Sequence, residues 1–125
     1  MIYLDTHAVV WLYAKELRRF TPAGREKLEV NELLMSPIVA LELEYLHETG
    51  RIQTKSRVIR DALEQAVGLR VCERSFASVV GLALEQSWTR DPFDRIIVAQ
   101  AKLADAPLLT KDRVIRKHYK RAFWE

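Results

Sequence analysis

Ile2-Tyr3-Leu4-Asp5-Thr6-His7-Ala8-Val9-Val10-Trp11-Leu12-Tyr13 decides the reading of the fold. Ile2 to Leu4 is a short apolar run, suited to a strand buried on both faces of a parallel sheet. Thr6 to Tyr13 then reads as a helix carrying Val9, Val10, Leu12 and Tyr13 as its apolar residues. Asp5 stands between them, just beyond the carboxyl end of the strand, where open α/β sheets bind their ligands.

The alternation repeats downstream. Thr21-Pro22 pairs a capping residue with a proline at the first helical position, and predicts a short helix to about Val30. Leu33 to Met35 reads as a second buried strand. Ser36-Pro37 starts another helix, with Ile38, Leu41 and Tyr45 on one stripe and a stop near Gly50. Thr54 is the expected cap of a further helix through Val58, Ile59, Ala62, Leu63 and Ala66, ending at Gly68. Leu69 to Val71 is the third strand, and Ser75 to Gln86 a helix. Asp91-Pro92 opens a helix broken by Ala106-Pro107. Leu108-Leu109 is the fourth strand, Arg113 to Tyr119 a last helix, and Phe123-Trp124 an expected edge strand. Short strands alternating with helices predict an α/β fold, a short parallel central sheet flanked by helices in an α/β/α sandwich.

A length of 125 residues with 49% hydrophobic residues favours one domain spanning 1–125 with a real core. Only four glycines and four prolines argue against low-complexity linkers, and no internal repeat is visible. The formal charge of +3 is compatible with a polyanionic partner. Basic residues gather at Lys15-Arg18-Arg19, at Arg51-Lys55-Arg57-Arg60 and at Lys111-Arg113-Arg116-Lys117-Lys120-Arg121; each group reads equally well as a solvated helix face. The single cysteine, Cys72, excludes an intrachain disulfide and suits a reducing cytosol. The amino-terminal stretch lacks the pattern of a signal peptide, and no apolar run approaches the length of a membrane span, so the expectation is a cytoplasmic protein.

Four acidic residues fall where this topology would bring them together: Asp5, Glu42, Asp94 and Asp112. Carboxylates gathered in one pocket repel each other unless protons or a cation intervene, and Mg²⁺ or Mn²⁺ prefers such oxygen donors. The pattern points to metal-dependent phosphoryl transfer. Each residue also has a structural reading. Asp5, Asp91 and Asp112 are each placed to cap a helix. Glu42, flanked by Ala40, Leu41 and Leu43, either lies near a buried face or points to solvent beside an arginine, while Glu44 and Glu48 read as surface residues. Asp94 sits in a first helical turn, where negative charge is favoured. Arg95 has two available partners, Asp91 or a phosphate. No glycine-rich phosphate loop, zinc-type Cys/His pattern or nucleophile elbow is present. His7, His47 and His118 read as surface or locally bonded, and Trp11, Trp88 and Trp124 as core or interface residues.

Leu4-Asp5-Thr6-His7, Ser36-Pro37-Ile38-Val39-Ala40-Leu41-Glu42, Asp91-Pro92-Phe93-Asp94-Arg95-Ile96-Ile97-Val98-Ala99-Gln100-Ala101 and Leu109-Thr110-Lys111-Asp112 together resemble the PIN domain family, and within it the VapC-type toxins of toxin–antitoxin pairs. The resemblance spans essentially the whole chain. It implies an acidic Mg²⁺ or Mn²⁺ site, endoribonuclease activity, a homodimer and inhibition by a small antitoxin. It places Asp5, Glu42, Asp94 and Asp112 in the acidic quartet that binds metal and catalyses, with Asp91 as an additional acid. Thr6, Ser36 and Thr110 fall where small hydroxyl residues support the site, and Arg95 is the nearest candidate to hold RNA. Leu41 departs from a frequent tryptophan, a packing choice. Two rival readings stand beside this one: a non-catalytic RNA- or partner-binding module on the same fold, and a phospho-acceptor domain using Asp5 as nucleophile.

Overall fold

The computed structural model describes all residues from Met1 to Glu125. The element order is β1 (Ile2–Leu4), α1 (Thr6–Tyr13), a 3-10 turn (Leu17–Arg19), α2 (Pro22–Val30), β2 (Leu33–Met35), α3 (Pro37–Glu48), α4 (Ser56–Val67), β3 (Arg70–Val71), α5 (Phe76–Ala83), α6 (Pro92–Leu103), β4 (Leu108–Leu109), α7 (Arg113–His118) and β5 (Ala122–Phe123). The sheet is five-stranded in the order β3-β2-β1-β4-β5, and every pairing is parallel. Central β1 pairs Tyr3 with Leu34 on one side and with Leu108 on the other. The chain winds outward from β1 through β2 to β3, then returns to lay β4 and β5 on the opposite side. The strand order therefore reverses between β1 and β4, and a crevice opens beyond their carboxyl ends.

The strands are short but wholly apolar at the centre of the sheet: Ile2, Tyr3, Leu4, Leu33, Leu34, Met35, Leu108 and Leu109 are all buried. They anchor a core cluster of 24 buried residues. A satellite of Val79, Ala83 and Ala99 joins α5 to α6, where small side chains let the two helix backbones come close. The helix starts follow local chemistry. The side chains of Thr21, Ser36 and Asp91 accept backbone N–H groups of the turns they open, each followed by proline.

Several boundaries depart from the sequence reading: α5 stops at Ala83, short of Gln86, β5 is Ala122–Phe123 rather than Phe123-Trp124, and both ends of α4 differ. The fourth helix begins at Ser56 with Lys55, not Thr54, in the cap position, and Lys55 offers no side-chain cap. The free Ser56 N–H instead donates to Glu44 Oε1 at 3.1 Å, and the Ser56 hydroxyl donates to the Ala40 carbonyl at 2.6 Å. Glu44, read as a surface residue, thus caps α4 from the neighbouring helix, a tertiary contact that no local pattern announces. At the other end of α4 the Leu69 N–H reaches the Leu63 carbonyl. That places Gly68 at φ 71°, a left-handed turn suited to glycine, and shortens the third strand to Arg70–Val71.

A buried polar chain crosses the sheet. The Ser36 hydroxyl donates to Gln100 Oε1 at 2.9 Å, Gln100 Nε2 donates to Cys72 Sγ at 3.1 Å, and the Tyr3 hydroxyl donates to the same sulfur at 3.0 Å. Burial pushes the Tyr3 hydroxyl pKa upward, keeping the proton it donates. Ser36 and Gln100 tie α3 to α6, the helices that carry Glu42 and Asp94. Ser36→Ala removes a helix cap and leaves a buried acceptor on Gln100 unpaired. Stability should fall by about 1–3 kcal/mol, read as a lower urea midpoint with an unchanged denaturant slope.

Candidate active site

The acids that the sequence singled out meet in the crevice between β1 and β4. Asp5, Glu42, Asp91, Asp94 and Asp112 line one cavity of about 690 Å³ together with His7, Val10, Trp11, Leu46, Arg51, Ile52 and Lys111. Asp5 directly follows β1 and is 7% exposed. Its Oδ1 accepts the Thr6 N–H at 2.7 Å, capping α1, and its Oδ2 accepts the Thr110 hydroxyl at 2.5 Å. Thr110 follows β4, so this bond ties together the two strand ends that flank the crevice. The Thr110 oxygen also accepts the Asp112 N–H at 3.1 Å. The Thr6 hydroxyl donates to Glu42 Oε1, joining α1 to α3.

Capping and site membership prove compatible. Asp112 Oδ1 accepts the N–H groups of Val114 and Ile115 at 2.8 and 3.0 Å. Asp91 Oδ1 accepts those of Phe93 and Asp94 at 2.8 and 3.3 Å. In both residues the cap engages Oδ1 alone, and both still line the crevice. A helix start that holds an aspartate by one oxygen also fixes the direction of the other, which is how a short chain obtains preorganised carboxylates without a dedicated scaffold.

Crowding shows in the proton affinities. Burial raises the Asp5 pKa, against the opposing hydrogen bonds from Thr110 and Thr6. Burial also raises Glu42; the Thr6 hydroxyl opposes this, and the charges of Asp5 and Asp91 reinforce it. Asp94 is pushed up to about 7 by burial first, then by the charges of Asp91, Asp5, Asp112 and Glu42, with no opposing contribution. Asp94 is thus the acid on which the field of the others converges. The side chains are not yet gathered tightly: no three Asp, Glu, His or Cys groups are close enough to hold one ion.

Two expected site residues take other places. Ser36 is buried and bonded to Gln100, and its oxygen accepts the Ile38 N–H at 3.2 Å. It positions α3 rather than touching a carboxylate. Arg95 directs Nε to the Thr89 carbonyl at 2.8 Å and does not line the crevice. The cations that do are Arg51 and Lys111, and His7 and Trp11 line the same crevice. The sequence did carry a signal for them. His7 and Lys111 lie within two residues of Asp5 and Asp112, and Trp11 lies one helical turn beyond His7, with ring centroids 5.8 Å apart.

Asp94 yields a pH dependence whose sign follows from linkage. Its folded pKa lies above the ordinary value of 3.8, so on raising the pH the unfolded chain releases this proton first. Its destabilising effect is absent in acid, grows as the pH rises above the unfolded value, and is complete above about 7. Asp94→Asn, measured in chelator, should melt several degrees above the parent chain at about pH 8, and the difference should shrink towards about pH 5. Because the group is only half-buried, solvent screening limits the effect to about 1–2 kcal/mol. Equal melting shifts at both pH values would refute the assignment.

Comparison with known proteins places this geometry. The family model of the PIN domain matches residues 2–121. Ribonuclease VapC22 of Mycobacterium tuberculosis is 33% identical over 119 residues, covering 94% of this chain and 91% of that one. The crystal structure of VapBC2 from Rickettsia felis bound to a DNA fragment from their promoter superposes with a TM-score of 0.68 at 21% identity, covering 100% of this chain and 98% of that one. A toxin–antitoxin complex from Klebsiella pneumoniae gives a TM-score of 0.64 at 17% identity over 98% of this chain and 96% of the other. Both structures share the fold. With a family model spanning nearly every residue and a relative aligned end to end, the chain belongs to the PIN domain family.

Proposed function

We propose that residues 1–125 act as a single domain that hydrolyses RNA phosphodiester bonds internally, as the toxin of a toxin–antitoxin pair. The observation that carries this is the convergence of Asp5, Glu42, Asp94 and Asp112, with Asp91 at the margin, on one crevice at the sheet's switch point. Support comes from the name of the 33% identical relative, a ribonuclease, and from toxin–antitoxin complexes of the same fold.

The donor set suits Mg²⁺ or Mn²⁺. It consists of carboxylate oxygens, hard donors without thiolate, and burial first, then neighbouring carboxylates, raises the proton affinities of Asp5, Glu42 and Asp94. Asp5, Asp94 and Asp112 would hold the metal, and Glu42 would complete the site. A bound divalent ion supplies a more acidic water and neutralises charge developing on the phosphate. The chain supplies the rest. Thr110 and Thr6 lock the carboxylates of Asp5 and Glu42 by hydrogen bonds, the kind of support that fixes ligand orientation. Glu42, with its raised pKa, is suited to orient the attacking water and accept its proton. Water oxygen bonds to phosphorus as the bond to the 3′ oxygen breaks in line, and the departing 3′ oxygen takes a proton from solvent, leaving a 5′-phosphate and a 3′-hydroxyl. Lys111 and Arg51, which line the crevice where Arg95 does not, would hold the RNA backbone.

An antitoxin fits the same crevice on charge grounds, through a basic or aromatic segment that would cover the acids. A homodimer completes the proposal, with the half-exposed ring of Tyr45 beside Leu41 on α3 as an apolar contact.

Incubation of the purified chain with mixed single-stranded and transfer RNA in Mg²⁺ or Mn²⁺ tests the activity. Asp5→Asn and Asp94→Asn should each lower cleavage by on the order of a hundredfold or more while remaining folded, and EDTA should abolish it. Asp5→Asn with parental turnover would overturn the site. RNA bound but left intact by folded, metal-loaded protein would favour the binding-module reading.

A further inference from the structure

The mouth of the crevice holds an aromatic surface that the acid chemistry leaves unused. Trp11 lines the cavity and is only half-buried. Its ring is fixed from behind, edge-on to Trp124 with centroids 5.6 Å apart. Trp124 is itself buried and stacked on Phe20 at 5.0 Å. Two cations approach the same indole: the Arg19 guanidinium lies 4.9 Å and the Lys111 ammonium 5.8 Å from its centroid. The exposed imidazole of His7 tilts against it at 5.8 Å. Arg19 ends the 3-10 turn and Lys111 lies in the loop between β4 and α7, so their meeting over one ring is a tertiary arrangement. Trp11 packs against the core on the Trp124 side, and its remaining close neighbours are cations and an imidazole beside a cavity lined with carboxylates.

A rigid aromatic plane flanked by cations is the arrangement that binds single-stranded nucleic acid. Bases stack on the ring while basic groups hold the adjoining phosphates. A base inside a duplex has both faces covered by its neighbours and reaches such a ring only after unstacking. Resting on the ribonuclease reading above, we propose that the Trp11 indole is a base-stacking subsite at the crevice mouth, with Arg19 and Lys111 moving from its ring to the adjoining phosphates, and that it selects unpaired RNA for the acidic site. Trp11 is thus a specificity-determining residue, acting on the substrate strand beside the scissile bond.

Binding is measured separately from cleavage, in the Asp94→Asn background with EDTA, using a short fluorescein-labelled single strand and a hairpin duplex of matching composition. Trp11→Leu should weaken single-strand binding by about tenfold and leave duplex binding unchanged, while Trp11→Phe, which keeps an aromatic plane, should retain most of the affinity. With Asp94 intact, Trp11→Leu should raise KM and leave kcat within about twofold. Because Trp11 also packs on Trp124, a second measurement avoids substitution altogether. The unaltered chain is photocrosslinked to a thiouridine-containing single strand, and the peptide carrying Trp11 should bear the adduct. Equal weakening on both probes, no weakening on either, a Phe variant as defective as Leu, or adducts confined to other surfaces would overturn the subsite. Failure of the parent chain to cut any RNA would sink the ribonuclease reading and leave these binding results standing.

Discussion

The Asp5 carboxylate is held at the junction of β1 and β4, nearly out of water and within the field of other acids. Burying a carboxylate is costly unless hydrogen bonds or an opposite charge compensate. Here the compensation is local and polar: the first N–H of α1 on one oxygen and the Thr110 hydroxyl on the other. Because Thr110 belongs to the far side of the switch point, this one bond couples strand pairing to side-chain geometry. The sheet must be in register for Thr110 to reach Asp5, and Asp5 must be oriented for the crevice to form. The Thr6 hydroxyl extends the constraint to Glu42 and hence to α3. The site is thereby a consequence of the core's register rather than an addition to its surface.

The same arrangement sets stability against chemistry. Each capping aspartate stabilises its own helix by accepting N–H groups that would otherwise be unpaired. Bringing the caps of α1, α6 and α7 to one end of the sheet then concentrates negative charge in one place. Asp94 is not itself a cap, and it bears the result, with Asp91, Asp5, Asp112 and Glu42 each raising its proton affinity. Sites in which charges repel in the resting protein bind an ion or a transition state more strongly than relaxed ones do, at the expense of the fold. The buried polar chain from Ser36 through Gln100 to Cys72 and Tyr3 acts in the opposite sense, holding α3 and α6 at fixed separation so that the repulsion cannot spread the helices.

How much of this the residues disclosed depended on the range of the interaction. Apolar runs such as Ile2–Leu4 and Leu33–Met35, and starts such as Thr21-Pro22 and Asp91-Pro92, are local signals, and their elements stand where expected. The acids were legible because strand ends and helix starts map to one edge of a parallel sheet. The contacts that escaped reading are tertiary. Glu44 caps a helix belonging to a later segment. Ser36 sits beside the acids in the motif yet bonds a residue on α6. Arg95, next to Asp94 in the chain, turns with the helix to the Thr89 carbonyl, because neighbouring helical positions point about 100° apart. Trp11 and His7 were read as packing or surface residues because spacing along α1 cannot show which stripe faces a cavity.

The basic clusters acquire a meaning that composition alone could not give them. Each of the three contributes one residue near the crevice mouth: Arg19 beside Trp11, Arg51 on the cavity wall and Lys111 beside Asp112. An acidic floor repels a phosphate backbone, and a net charge of +3 spread evenly would offset that repulsion only weakly. Cations set at the rim change the balance by geometry. On the proposed function they would attract the polyanion over the short distances at which solvent screening leaves the attraction intact. The remaining repulsion falls on the phosphate that enters the floor, the one position where a divalent ion would neutralise it. On the proposed function, acids with cations beside them would separate two tasks that one charge sign cannot perform: drawing in a polyanion, and holding the cation that acts on it.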